Sequence, residues 1–393
     1  MSVSKELIDL RYEEPTLLAV NTFLRRLQNK APITAVRTIP GDEAWLVTGH
    51  DVIQKLTSDR RLGRTHPDPA NAPRYLENPM VNAVLENSYA DEPETHSLQR
   101  MLLAPHFSRR KMEALRPRLA PLIAEAVARL AAQEPPANAH VEFSVPLTSQ
   151  VLGELIGIPR EDRENLPALV HQTSSVVDNQ IAENGRETLM DYMCRVAARR
   201  RAEPGGDILS TTVQSGMTDY QAAGIGVMLL FAAMKSTMTI TTLGIALIGN
   251  NPVARDQLIA DPELWKTALE EILRIAAHDL IMPHYAREDI EIADVTIRAG
   301  DLVLVAYGLA NFDKGVFPAA DEVDITRSPN PHMSFGHGMW HCTGAPLAKV
   351  YLEMAYPALL AALPTLRLAK PLEEQGRTTG TLGDGLEELL VTW

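Results

Sequence analysis

The run from 219 to 250 constrains the fold of this chain more than any other segment. Thr218 and Gln221 match the pattern that opens a helix by reciprocal capping, and Pro252 ends it. Between them apolar residues fall on nearly every face. A helix without a polar side must be wrapped by other elements, so it is expected to cross the interior of a mostly helical protein. A membrane span is the competing reading, opposed by Lys235 in mid-run and by the lack of a second such segment in the sequence.

Helical patterns occupy 97–271, broken by Pro135-Pro136 and Pro204-Gly205-Gly206. A further helical pattern begins at 51–56, and short strand-like pieces lie at 33–37, 44–47, 290–292, 295–297 and 302–305, with 385–393 as a closing strand. The stretch 58–94, rich in Pro, Asn, Asp and Arg, reads as one long irregular loop placed to close over a ligand. The fold class is therefore mainly α with small β-sheets (α+β), in one domain over 1–393, since no linker, repeat or low-complexity tract divides the chain.

Composition narrows the function classes. Hydrophobic residues at 45% supply a large core, and a net charge of -13 opposes nucleic-acid binding. Two cysteines, Cys194 and Cys342, are too few for a disulfide scaffold or a thiolate zinc site. The first residues lack the basic-then-apolar layout of a signal peptide, which points to a cytoplasmic enzyme without membrane insertion.

The segment Phe335-Gly336-His337-Gly338-Met339-Trp340-His341-Cys342-Thr343-Gly344-Ala345-Pro346 presents one cysteine on a glycine-rich loop before a helix. Gly336 and Gly338 permit tight backbone geometry, and Pro346 suits a first helical turn. The free amides and positive end of that helix favour Cys342 as a thiolate, with Phe335 placed to shield the sulfur. Such a thiolate suits a metal. His341 beside it raises a cysteine nucleophile as the alternative, for which no motif supplies a base.

Together with Glu271-Ile272-Leu273-Arg274, Ala310-Asn311-Phe312-Asp313, Phe317-Pro318 and His96-x-x-x-Arg100, this loop resembles in order and spacing a soluble bacterial cytochrome P-450, from about Arg11 to Trp393. The resemblance implies a single triangular helical domain holding heme b, with Cys342 as the axial thiolate on iron. It implies that His96, Arg100, His284, Phe335, Gly336, Trp340 and Gly344 border the heme, with Gly338 also letting backbone approach it. Glu271, Arg274 and Arg327 become a buried charge network, although a Glu and an Arg three apart would by themselves be an ordinary surface pair.

Departures from the family pattern matter as much. Trp340 and His284 stand where relatives carry basic residues for the heme carboxylates, which leaves more of the anchoring to His96 and Arg100. Lys235 replaces the acid of the long helix, followed by Ser236 at the alcohol position and Thr237, and Ala233 replaces a glycine. Pro357 falls inside the helix after the loop and is expected to kink it.

By position, the substrate pocket comprises Val84, Leu85, Leu230, Ala232, Ala233, Leu280, Ile281, Met282 and Leu382, which suits a bulky, largely apolar small molecule. The chain has no reductase segment, so separate ferredoxin and ferredoxin reductase are implied, steered by Arg109, Arg110, Lys111 and Lys349. The implied activity is oxidation of a natural-product intermediate by hydroxylation, epoxidation or oxidative ring formation, in bacterial secondary metabolism, with a non-standard proton relay at Lys235 and Ser236. Alternatives are a redox-neutral or radical-coupling cyclisation on the same fold, and a non-catalytic auxiliary protein.

Overall fold

Ile33–Arg37 and Glu43–Val47 pair antiparallel with Ala35 opposite Trp45, the chain turning at Gly41 with φ of 105°. The computed structural model describes residues 7–10, 17–86, 88–378, 382 and 385–393. The chain divides into two units, Met1–Leu98 with Glu270–Cys342, and Gln99–Leu269 with Thr343–Trp393. Helices dominate and the sheets are small.

In the first unit, the hairpin begins a six-stranded sheet in the order Ile8–Asp9, Ile33–Arg37, Glu43–Val47, Leu302–Val305, Met282–Ala286, Leu62–Gly63. Leu302–Val305 is buried along its whole length, as an unbroken apolar run requires. Val47, Ile53, Leu56, Val303, Val305 and Tyr307 share its core, which seats the helix His50–Ser58 on the sheet. The strand Met282–Ala286 escapes sequence reasoning because Pro283 argues against it. It forms by pairing with Leu302–Val305, His284 opposite Val303.

The stretch 58–94 is not one irregular loop. It holds the strand Leu62–Gly63, a helical turn Pro79–Asn82, a 3₁₀ turn Ala83–Glu86 and the start of the helix Glu92–Leu103. Asn78 caps the short turn by accepting from the amides of Met80 and Val81 at 2.9 and 3.1 Å. Two of its prolines open helices instead of merely breaking the chain, Pro79 at the first helical position and Pro93 in the first turn of its helix, while Pro67, Pro69 and Pro73 lie in irregular backbone.

In the second unit, the helix Asp219–Asn250 carries the expected capping box between Thr218 and Gln221 and packs against Asn179–Ala202 and Val145–Ile156. It is long and apolar enough to cross a membrane. Its last turns, Thr241 to Gly249, are wholly buried against protein, as expected of a core helix. Over 231–240, however, only Met234 is buried, with Ala232 and Ser236 exposed and the rest half-buried, so this middle stretch is only partly covered.

Ala345–Ala362 runs through Pro357 without interruption and packs on Arg109–Ala131, which itself contains Pro117 and Pro121. Burial of Leu359 and Leu360, and a bond of 2.9 Å from the Tyr356 hydroxyl to Ile240 O, outweigh the one helical bond that proline removes. A three-stranded sheet joins Arg367–Leu368, Leu390–Thr392 and Ala137–Asn138, while Gly385–Leu386 pairs with Arg377–Thr378 in another sheet, so the expected closing strand over 385–393 is two short strands separated at 387–389.

Candidate functional site

The cysteine loop is shaped by its own backbone. Gly336 and Gly338 have φ of 72° and 61°, the left-handed region that glycine alone adopts freely. A Cβ on Gly338 would lie 2.5 Å from Thr57 O, so this glycine is fixed by contact with the helix His50–Ser58. At Gly336 a Cβ would meet Trp340 O at 3.0 Å. Gly344 has φ of -81°, which any residue can adopt.

The Cys342 amide donates to Phe335 O at 2.7 Å, closing the loop across the 3₁₀ turn Gly338–Trp340. Thr57 gives its hydroxyl proton to Ile53 O at 2.7 Å and accepts from His337 Nδ1 at 3.2 Å, a second tie of the loop to that helix. Phe335 is half-buried and Cys342 is exposed, so Phe335 by itself does not shield the residue from solvent. The loop thus presents its thiol at the surface.

Behind the loop, Glu271 and Arg274 have no exposed side-chain surface. Arg274 donates from Nε and Nη2 to Glu271 at 2.8 and 2.7 Å, and Arg327 Nε donates to the same carboxylate at 3.0 Å. The Phe312 and Phe317 rings flank the Arg274 guanidinium at 5.1 and 5.4 Å. Arg274 also holds Asn311 O and Ala320 O, both at 2.9 Å. Asn311 then accepts from the Met333 amide at 2.7 Å and donates to Ser334 Oγ at 2.9 Å, one residue before Phe335. The charge network thus reaches the loop through two short steps.

Trp340 gathers the residues expected at the cofactor's carboxylates. Its ring centroid lies 4.6 Å from that of His96 and 5.6 Å from that of His284. The guanidinium of Arg64, which sequence reasoning missed, lies 5.3 Å from its centre. Trp340 Nε1, Arg64 Nε and His284 Nε2 are all buried without a hydrogen-bond partner. His284 Nδ1 sits 3.2 Å from Met282 O, which can only accept, so the proton is on Nδ1 and Nε2 is bare. Burial, with the charge of Arg64 added, pushes His284 down to about 3, so it is neutral near pH 7.

Tyr307, also unforeseen, has a buried hydroxyl without a partner, and burial raises it to about 12. Arg100 follows His96 one turn later on the helix Glu92–Leu103 and is half-buried.

Glu92, in the first turn of that helix, ties it to the edge strand of the sheet. It accepts from the Arg64 amide at 2.6 Å, Thr65 Oγ1 at 2.8 Å and Arg287 Nη1 at 2.7 Å. Arg287 in turn stacks 4.0 Å over Tyr89. Leu280, Ile281 and Met282 are half-buried on the run into the next strand, and Leu85 is buried. The side chain of Val84 lies outside the described residues, as do Thr381 and Gly383 beside the expected Leu382.

In the second unit, Ala232 and Ser236 are exposed and Ala233, Lys235 and Thr237 half-buried on the partly covered middle of the long helix. Leu230, also expected to line the pocket, is fully buried. The Ser236 hydroxyl donates to Ala232 O at 2.8 Å, a local bond to its own helix. Leu382 is half-buried, its amide donating to Ser174 O at 2.8 Å.

The family model for Cytochrome P450 matches residues 214–365. A pentalenolactone synthase of Streptomyces exfoliatus is 35% identical, over 99% of this chain and 100% of that protein. Among solved structures, a substrate-free pimaricin epoxidase shares 38% identity at a TM-score of 0.90, covering 99% of this chain and 100% of that one. A putative thioether synthase involved in griseoviridin tailoring shares 26% at a TM-score of 0.91, covering 98% and 100%.

Proposed function

Because the chain belongs to the cytochrome P450 family, we propose that it is a cytoplasmic heme-thiolate monooxygenase that hydroxylates, epoxidises or oxidatively closes a ring in a bulky, largely apolar natural-product intermediate. The observation that carries this reading is Cys342, exposed on a loop whose geometry is fixed by two left-handed glycines and a 2.7 Å amide bond. The residues fit heme. The loop presents a thiol for the iron, and at Trp340 an unpartnered indole N–H and an unpartnered guanidinium N–H of Arg64 suit its carboxylates, with His96 packed beside them.

Heme bound there supplies the one-electron and oxygen chemistry. The chain's own residues hold and orient. Cys342 Sγ would hold the iron, and the Glu271, Arg274 and Arg327 network fixes the segment that ends at Ser334, which sets where the thiol stands. Lys235, Ser236 and Thr237 are assigned to proton handling and substrate orientation. Ser236 can accept there while its proton stays on Ala232 O, and it donates only by releasing that bond. Arg109, Arg110 and Lys111 crowd three cations into the first turn of Arg109–Ala131, where the helix end is already positive. Unfavourable for the helix itself, that cluster suits an acidic ferredoxin that delivers electrons from a separate reductase.

The test is the optical spectrum of the heme-loaded protein after reduction and carbon monoxide. A red-shifted thiolate-type Soret band that disappears in Cys342→Ser supports the reading, and its absence from the native protein sinks it. A second reading, a coupling or redox-neutral cyclisation, is favoured by Lys235 in place of an acid and by the likeness to a putative thioether synthase. Oxygen-18 from labelled dioxygen in the product excludes it.

A further inference from the structure

We propose that Arg64 is the cation that holds a heme carboxylate in this chain, in place of the basic residues that relatives carry at the positions of His284 and Trp340. The inference rests on the heme-thiolate reading above. Trp340 offers one N–H and no charge, and His284 is held neutral by burial. Among the described residues, the rings and cations packed on the indole are His96, His284 and Arg64, of which Arg64 carries a permanent charge, since His96 is cationic only when protonated.

Three features make Arg64 a built binding residue. Its Nε is shut off from solvent and has no partner, and among the described residues no carboxylate is bonded to its guanidinium. A half-buried cation left in that state is costly unless an anion completes it. Its backbone is clamped: Glu92 takes the Arg64 amide at 2.6 Å while Arg287, at 2.7 Å, occupies the other oxygen of that carboxylate. The same Glu92 opens the helix that bears His96 one turn later, so Arg64 and His96 reach Trp340 from a common anchor. The planar guanidinium can then give two parallel N–H groups to one carboxylate, a geometry that lysine cannot reproduce.

The experiment follows heme transfer from the full-length, heme-loaded protein to excess apomyoglobin by visible absorbance. Arg64→Gln is expected to lose heme about tenfold faster or more, and Arg64→Lys by a smaller factor. Arg61→Gln, whose guanidinium is already spent on Asp59 at 2.7 Å, keeps the native rate. Adding Trp340→His to Arg64→Gln restores a basic group at the family's position and slows the loss again, which repair of a merely structural defect would not do. An unchanged rate in Arg64→Gln overturns the proposal, as does a double variant no slower than Arg64→Gln. Should Arg64→Gln fail to fold, the same comparison is made on Arg64→Lys with and without Trp340→His, and equal rates overturn it. A native protein without a thiolate Soret band refutes the heme reading itself, whereas an intact band with unchanged heme loss in Arg64→Gln refutes this assignment alone.

Discussion

Glu271→Gln removes one negative charge and almost no volume, which isolates the electrostatics of the buried network. The carboxylate receives five bonds, from Arg274 Nε and Nη2, Arg327 Nε, the Asp324 amide and Asn330 Nδ2, at 2.7 to 3.1 Å. Glutamine keeps one acceptor oxygen and turns an NH₂ toward at least one guanidinium. Two cations with 0% and 8% side-chain exposure are then left without a counter-charge. Breaking a buried pair in this way costs about 3–5 kcal/mol.

The chain contains its own control. Glu183 and Arg186 have the same spacing on a helix but side chains 34% and 33% exposed, so Glu183→Gln is expected to cost about 0.3 kcal/mol. Urea unfolding followed by far-ultraviolet circular dichroism separates the two, and heme retention in the same samples shows whether the loop beyond Ser334 has shifted. A loss below about 1 kcal/mol in Glu271→Gln would mean that water or relaxation compensates the two arginines, and the coupling from network to loop would be refuted.

Gly338→Ala introduces a Cβ at 2.5 Å from Thr57 O in a residue with φ of 61°, so the loop must lift from the helix His50–Ser58. A destabilisation of about 2 kcal/mol and a weakened thiolate Soret band are expected, while Gly224→Ala, whose added Cβ meets open space, leaves the spectrum unchanged. His140 is pushed down to about 4 by burial, its Nδ1–H bonded to Thr242 Oγ1 at 2.9 Å. Its folded value lies below the ordinary 6.5, so its contribution is complete above about 6.5 and is lost as pH falls toward 4, by about 3 kcal/mol. Urea midpoints of native and His140→Gln protein across pH 4–7 check this, the variant showing the flatter curve. Lys235→Glu, which restores an acid on the long helix, is expected to change the ratio of product to oxygen consumed, and an unchanged ratio would mark Lys235 as structural.

The periodic and punctuated parts of the chain were legible without coordinates. The helix Asp219–Asn250 was readable because Thr218, Gln221 and Pro252 are local signals, and the strands at 33–37 and 302–305 because side chains alternate with a fixed period. Glu271 and Arg274 could be paired from their spacing, but whether that pair was a surface ornament or a buried anchor depended on Phe312, Phe317 and Arg327, which arrive from elsewhere in the chain. The stretch 58–94 was misread since its prolines mark helix starts as readily as loops, and only the caps at Asn78 and Glu92 tell the two apart.

What the sequence by itself determined is the chemistry on offer: one cysteine on a glycine-bearing turn, a histidine at 284 and a tryptophan at 340, and a long apolar helix with a lysine in mid-run. What tertiary structure decided is which groups meet. Arg64, His96, His284 and Trp340 come from four separated segments, and they converge because an edge strand, a helix start, a strand paired to Val303 and a glycine turn are each fixed by bonds to other parts of the fold. Local spacing encodes periodicity and caps, which act within a few residues. Desolvation and the gathering of unpartnered donors are non-local, so no window of sequence could reveal that the cation at this site is Arg64.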